Sequence, residues 1–212
     1  MPVLAYILTA LAAYLLGSIP TGFLVAKAQG IDIRSVGSGN IGATNAMRVL
    51  GKPAGIFVLL MDALKGYAAC SWLVVLMLKF FTIAPEQVGT LQIMAAIAAV
   101  LGHNYTCWLK FKGGKGIATS AGVYLALAPW ALLIALMVFI LAVLLTRYVS
   151  VGSIAAGVAL PTAVWIMTPH NMLLGIVTTA LGALAIYKHR ANIRRLMAGT
   201  ENRLGKKSEG AK

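Results

Sequence analysis

Four short segments hold most of the residues in this chain that can handle an anion. The first is Ser38-Gly39-Asn40-Ile41-Gly42-Ala43-Thr44-Asn45, closed by Arg48. Its glycines let backbone N–H groups converge on an anion with no Cβ in the way. Ser38 and Asn40 add side-chain donors, and Arg48 offers a planar fork for phosphate oxygens. The second segment joins Gly102-His103-Asn104 to Lys110-Phe111-Lys112-Gly113-Gly114-Lys115-Gly116, with an apolar helix expected from Ile117. A glycine-rich turn that feeds a helix N-terminus is a prepared anion site. It is not a nucleotide-hydrolysing P-loop, because Gly116 stands where that loop needs Ser or Thr. Third comes Arg147 with Ser150-Val151-Gly152-Ser153, whose serines either pack helices or donate hydrogen bonds at a helix start. The fourth is Lys188-His189-Arg190-Ala191-Asn192-Ile193-Arg194-Arg195. Helical spacing lets His189 and Asn192 face one site while Arg190 and Arg194 face phosphates; the arginines also suit a plain membrane anchor.

Two further features are open to two readings each. His103 is either a structural hydrogen-bond partner or a base. Asp62 and Lys65, three residues apart, share a helix face and can pair. They either line a polar crevice reaching in from the water or fix helix packing. Other chemistries are excluded by what the chain lacks. Three histidines, five acids and two scattered cysteines offer no metal-ligand cluster, and no cofactor is expected. No Gly-x-Ser-x-Gly elbow and no acidic pair of the glycosidase kind is present. The His-x4-Asp pair of many soluble glycerolipid acyltransferases is missing too: Trp108, Gly175 and Arg194 stand five places after the three histidines.

The elements that must position these segments are apolar. The chain is 60% hydrophobic and only 11% charged over 212 residues, against about 25% charged in a soluble domain. Apolar runs predict helices over 3–26, 53–81, 88–109, 117–128, 130–146, 151–168 and 171–187, making an all-α polytopic membrane protein of seven spans. The pair around Pro129 is either two short spans or a re-entrant pair; both return the chain to one side before Arg147. Lys27, Arg34, Arg48, Lys52, Lys110, Lys112, Lys115, Arg147 and the basic C-terminal residues then share that side, while Lys79 lies opposite. The excess of Lys and Arg places the C-terminus and all four segments in the cytoplasm, with the N-terminus outside. Residues 1–204 read as one membrane-embedded domain, and 205–212 as a disordered basic tail. The net charge of +13 sits at span ends, so it points to anionic lipid or phosphate substrates and not to nucleic acid. No basic n-region precedes the first apolar run, which reads as a retained span. Cys70 and Cys107 suggest no disulfide framework.

At these residues the chain resembles the acyl-phosphate-dependent glycerol-3-phosphate acyltransferases of bacterial phospholipid synthesis, the PlsY type. Three motifs carry the resemblance: Ser38 to Arg48, Gly102-His103 with Phe111 to Gly116, and Lys188 to Arg195 with Gly199 and Glu201. Asp62-Ala63-Leu64-Lys65-Gly66 and the Ser150/Ser153 pair also fall where the family has them. One departure is Tyr105-Thr106, where the family often has Phe-Pro. The resemblance implies an inner-membrane enzyme that transfers a fatty acyl group from acyl-phosphate to the 1-hydroxyl of glycerol 3-phosphate. Lysophosphatidic acid and inorganic phosphate would leave. Partners would be those two substrates, membrane lipids and other enzymes of phospholipid synthesis.

Within that reading Ser38, Asn40, Gly39, Gly42, Lys115, Gly113 and Gly114 bind the acyl-phosphate head or polarise its carbonyl. Arg48, Lys65, Ser150, His189 and Asn192 hold glycerol 3-phosphate, with Ser153 and Arg194 as further binding residues. The donor phosphate takes the hydroxyl proton itself, with His103 or His189 as the fallback base. Two competing classes remain. One is a transporter of an anionic phosphorylated metabolite, with Asp62 and Lys65 as the coupling pair. The other is a polybasic lipid-binding scaffold without turnover.

Overall fold

The structure is a computed structural model that describes residues 2–205. The basic residues 206–212, expected to be a disordered tail, lie outside the described residues. Among the described residues every regular element is helical: α1 (Pro2–Ser18), α2 (Thr21–Ala28), α3 (Ala43–Leu50), α4 (Lys52–Cys70), α5 (Trp72–Phe80), α6 (Pro85–Asn104), α7 (Ile117–Leu127), α8 (Pro129–Thr146), α9 (Val149–Met167), α10 (Met172–Lys188) and α11 (Arg190–Met197). A short 3-10 turn, Cys107–Leu109, follows α6.

Each of the seven apolar runs is helical, and two of them are broken for local reasons. Pro20 has no N–H to continue the helix and pushes Ile19 out of the helical region, so the first run splits into α1 and α2. Ser71, at φ −113° and ψ −73°, separates α4 from α5; its N–H and its Oγ both donate to the Tyr67 carbonyl, at 2.9 and 2.6 Å, a back-bond of the kind that bends helices. By length and composition four stretches suffice to cross a membrane: Val3–Ala28, Lys52–Phe80, Pro129–Thr146 and Val149–Met167. A fifth results if α10 and α11, bent by 51°, count as one span. Seven were expected. Two of the remaining runs differ in physical terms. At 11 residues α7 rises about 16 Å, short of a hydrocarbon core of about 30 Å. α6 has 20 residues but carries Glu86, Gln87, Gln92, His103 and Asn104.

Large apolar side chains such as Leu60, Val75, Trp130, Leu144, Leu145 and Ile166 are exposed. Patches of this kind have no place against water and suit lipid.

The helices form two compact units, Met1–Pro129 and Trp130–Lys212. In the first, α1, α4, α5 and α6 enclose Ala13, Ala69, Val74, Leu91, Ala95 and Ala99. Small residues at these contacts let backbones approach closely, the usual solution where lipid removes the hydrophobic drive between helices. A second cluster, Ala26, Ile33, Ile41, Ala46, Val58 and Leu109, seats α3 and the loop before it. Polar ties lace the C-terminal end of α1 to that of α6: Thr106 Oγ1 donates to the Ser18 carbonyl at 2.6 Å, and Tyr14 Oη to the Tyr105 carbonyl at 2.7 Å. The Thr106 bond is buried. In the second unit, α9 and α10 meet at Gly157 and Gly182, and Trp165 Nε1 donates to Thr179 Oγ1 at 3.1 Å.

Candidate active site

The loop before α3 is built around Asn45. This buried amide accepts from the Ser38 N–H through Oδ1 at 2.8 Å. Through Nδ2 it donates to the carbonyls of Asn40 at 2.9 Å, Val36 at 3.1 Å and Ile33 at 3.3 Å. Gly37 can turn here only because it lacks a side chain: its φ is +62°, and a Cβ would strike Asn45 Oδ1. The Gly42 N–H goes to Asn40 Oδ1 at 2.9 Å and the Gly39 N–H to the Val36 carbonyl at 3.0 Å. The N–H groups of Ser38, Gly39 and Gly42 are therefore engaged within the loop. What the loop presents outward is the exposed Ser38 side chain and Arg48, whose Nη1 reaches Asn45 Oδ1 at 3.4 Å. The segment Ser38 to Arg48 is not loop throughout, since α3 starts at Ala43 and includes Arg48. At the loop's base Arg34 clamps Asp32 in a two-pronged ion pair at 2.7 Å. The Arg34 side-chain bond, then its N–H, hold the exposed Asp32 carboxyl at about 2 instead of 3.8.

The second loop is drawn onto the end of α6. The Gly113 N–H donates to the Asn104 carbonyl at 3.2 Å and the Gly114 N–H to the His103 carbonyl at 3.0 Å. These two N–H groups anchor the loop, so the glycine pair supplies close approach where two anion donors were expected. Gly114 lies flat against the His103 ring, where a Cβ would come within 2.7 Å of Cε1 and closer still to Nε2. The result places Lys115, partly exposed, and Gly116 at the start of α7, whose first-turn N–H groups point out of the helix.

Below it lies a buried ionic cluster. Lys65 Nζ is 2.8 Å from Asp62 Oδ1 and donates to the Ile19 carbonyl at 2.9 Å. His103 Nδ1 is 3.7 Å from the same Asp62 oxygen. The expected pairing of Asp62 with Lys65 is present, and both side chains are buried. Lys65, expected to hold glycerol 3-phosphate, thus has its ammonium on Asp62 and Ile19.

The second unit holds a separate polar group, centred on Glu201. Its Oε1 accepts from Ser150 Oγ at 2.9 Å and from Asn192 Nδ2 at 2.7 Å, and its Oε2 accepts from Arg195 Nε at 2.7 Å. Burial pushes the Glu201 pKa up, but the bonds from Asn192, Arg195 and Ser150, with the Arg195 charge, outweigh it and hold the carboxyl below 4.5. His189 caps the end of α10 and begins α11; its Nδ1 bonds the Ala185 carbonyl at 2.8 Å. His189, Asn192, Ser150 and Ser153 are buried, and Ser153 Oγ turns back to the Val149 carbonyl at 3.0 Å. Arg194 is exposed; the arginine that joins the buried group is Arg195, one place on.

The structure thus gathers Ser38, Asn40 and Arg48 around Asn45, brings His103 against Gly113 and Gly114 with Lys115 next in the chain, and joins Ser150 to Asn192 through Glu201. Two organising residues were not assigned roles from the sequence. Asn45 offered a faint signal, an amide between the glycines and an amphipathic helix. Glu201 offered another, as one of five acids in a chain of +13 and the first after a basic helix.

Comparison with known proteins gives the family. The family model described as glycerol-3-phosphate acyltransferase matches residues 7–199. A glycerol-3-phosphate acyltransferase of Geobacter sulfurreducens is 49% identical over 93% of this chain and 96% of its own length. One from Clostridioides difficile is 46% identical over 99% of this chain and 100% of its own. Among solved structures, the integral membrane glycerol 3-phosphate acyltransferase PlsY in its glycerol 3-phosphate form superposes with a TM-score of 0.82 at 40% identity, covering 94% of this chain and 96% of that one. Its lysophosphatidic acid form gives 0.79 at 39% identity, covering 94% and 95%. With its motif residues clustered in three polar groups on an apolar helical frame, the chain belongs to the glycerol-3-phosphate acyltransferase family, of the PlsY type.

Proposed function

We propose that this protein transfers a fatty acyl group from acyl-phosphate to the 1-hydroxyl of glycerol 3-phosphate, releasing 1-acyl-glycerol 3-phosphate and inorganic phosphate. The observation that carries this reading is the Lys112–Gly116 loop. Two backbone bonds and the glycine–imidazole contact pin it, with the half-buried Lys115 two residues before the first residue of α7, an apolar helix. A fixed cation beside a helix N-terminus stabilises phosphate charge without reorganising during the reaction. The solved relative at 40% identity is described with glycerol 3-phosphate and, in a second form, with lysophosphatidic acid, an acceptor and a product that fit this reaction.

An acyl-phosphate is a mixed anhydride with a good leaving group, so transfer needs no protein nucleophile. The acceptor hydroxyl attacks the acyl carbonyl, the C–O bond to phosphate breaks, and phosphate leaves with the electron pair. The donor phosphate takes the hydroxyl proton, with His189 or His103 as the alternative. Proximity and electrostatic stabilisation supply the rate. Ser38, Asn40 and Lys115 are assigned to the donor, carried on loops that Gly39, Gly42, Gly113 and Gly114 hold in shape, and Arg48, Lys65, Ser150, Ser153, His189, Asn192 and Arg194 to the acceptor. The proposed setting is the bacterial inner membrane, with residues 1–204 as one embedded domain. Its seven helical segments have the N-terminus outside and the C-terminus and site cytoplasmic. The short α7 is accommodated by local bilayer thinning.

Donor choice tests the proposal. Purified protein in lipid mesophase should make lysophosphatidic acid from palmitoyl-phosphate and glycerol 3-phosphate, and none when palmitoyl-CoA replaces the donor. Equal rates from palmitoyl-CoA would refute the acyl-phosphate assignment. Inactive folded protein that moves glycerol 3-phosphate across sealed liposomes would establish the transporter reading instead.

A further inference from the structure

Between α6 and α7 a tight turn directs two aromatic rings away from the protein. The N–H groups of Leu109 and Phe111 both donate to the Thr106 carbonyl, at 3.3 and 3.0 Å, and the Lys112 N–H donates to the Leu109 carbonyl at 3.0 Å. Thr106 is itself tied to the Ser18 carbonyl, and Leu109 is buried among Ala26, Ile33, Ile41, Ala46 and Val58. On this fixed base Trp108 and Phe111 are 64% and 62% exposed, and Lys110 and Lys112 beside them are exposed too. The exposure comes with backbone strain. Lys110 and Phe111 have φ of +52° and +60°, and they are two of the three non-glycine residues with positive φ among the described residues. That region is costly for any L-residue and an outlier for one as bulky as phenylalanine. Strain that exposes a ring, where burial would be the ordinary outcome, points to a partner outside the protein.

The neighbouring residues identify that partner's chemistry. Lipid-exposed irregular backbone does not occur in hydrocarbon, so a turn that joins two apolar helices belongs at headgroup level. Aromatic rings and lysines favour that level, the rings against the upper acyl chains and the ammoniums toward phosphate. The local charge is of one sign. No acidic residue stands between Glu86 and Glu201 in the chain. Asp32, beside Ile33 of the Leu109 cluster, is already held by Arg34 at 2.7 Å. Neither Lys110 nor Lys112 forms an ion pair among the described residues. We propose that Trp108, Lys110, Phe111 and Lys112 form a wedge that docks on anionic lipid, with the rings among the acyl chains and the two ammoniums on the lipid phosphates. This docking goes beyond the acyl-transfer reading and does not depend on it.

The full purified chain in lipid nanodiscs tests this through Trp108 fluorescence, taken as the difference between the unmodified protein and Trp108→Phe. The quenchers are phosphatidylglycerol and phosphatidylcholine, each spin-labelled near the headgroup end of the chain. Both should quench Trp108, and phosphatidylglycerol should be enriched around it by about fivefold, the gain that one lysine gives near an anionic surface. The double variant Lys110→Gln/Lys112→Gln should cut the enrichment to about twofold or less. High salt should do the same to the unmodified protein, since these charges are exposed. Phe111→Gly keeps the left-handed turn without its strain. It should melt in detergent at the same temperature or higher, while Trp108 in nanodiscs loses quenching with its companion ring gone. An enrichment that survives the double lysine change overturns the proposal. So does a Phe111→Gly midpoint several degrees lower in detergent, which would show that the ring packs within the protein. Should the double variant fail to fold, the salt series decides, and an enrichment unchanged by salt overturns the docking. Equal quenching by the two lipids, relieved by saturating palmitoyl-phosphate, would make the face a donor-loading surface. Trp108 shielded from both lipids in discs that hold two copies would assign it to a second copy of the chain. Either result overturns docking on lipid.

Discussion

Gly114→Ala probes how tightly the Lys112–Gly116 loop, the proposed anion site, is set. A Cβ at Gly114 would stand 2.7 Å from His103 Cε1 and 3.0 Å from Cδ2, with Nε2 nearer still. Ordinary contact begins at 3.4 Å, so the loop and the ring must part by roughly 1 Å. The ring cannot easily yield. It belongs to a buried residue on α6, faces Asp62, and its own carbonyl holds the Gly114 N–H. The loop therefore moves, and Lys115, the next residue, moves with it. Misplacing a catalytic group by about 1 Å costs on the order of 10²-fold, or about 2.7 kcal/mol of transition-state stabilisation. Phosphate release and lysophosphatidic acid formation would be followed with purified Gly114→Ala, alongside its melting midpoint to show that it folds. Gly89→Ala is the control: that glycine lies in α6 with nothing within 4 Å of its Cβ position, so activity should be unchanged and stability equal or slightly higher. A folded Gly114→Ala enzyme within threefold of the unmodified rate would refute the claim that the glycine–imidazole contact sets the loop.

Three other perturbations follow from the same geometry. Asn45→Ala removes the buried amide that four backbone groups share, so it should destabilise the protein by roughly 2–4 kcal/mol and lower activity by more than tenfold, read by melting and turnover. Lys65→Met leaves the Asp62 carboxylate buried without its cation and should cost roughly 3–5 kcal/mol, whereas adding Asp62→Asn should recover much of that; an additive double variant would contradict the pairing. The Glu201 carboxyl titrates below its ordinary 4.5 in the folded protein, so its stabilisation is complete above pH 4.5 and is lost as pH falls through the lowered value. Melting midpoints measured from pH 7 downward should show a steeper acid loss in the unmodified protein than in Glu201→Gln.

The helices were legible because lipid demands long apolar runs and few other signals compete with them. All seven runs are helical, with limits within a few residues except at the two breaks and at the end of the third run. Pro20 and Ser71 made those breaks; each acts through one backbone group that a hydropathy pattern does not register. α3 escaped because Gly39, Asn40, Gly42, Thr44 and Asn45 together read as loop, while the amphipathic stretch from Ala43 is only eight residues long. The grouping of His103 with Gly113, Gly114 and Lys115 followed from their nearness in sequence. The bond from Ser150 to Glu201 did not, because it spans 51 residues and depends on how α9 meets the turn after α11. Glycine spacing suggested donors converging on phosphate; the structure instead engages the N–H groups of Gly39, Gly42, Gly113 and Gly114 in holding their loops. Spacing reveals which N–H groups can converge, but not which carbonyls reach them first.

Direct transfer from an acyl-phosphate is tested most plainly by phosphate release at near-stoichiometric enzyme, with and without glycerol 3-phosphate. The account predicts one phosphate for each lysophosphatidic acid formed, and neither a burst nor steady release from palmitoyl-phosphate alone. A burst of about one phosphate per enzyme without the acceptor, the mark of an acyl-enzyme, would contradict it.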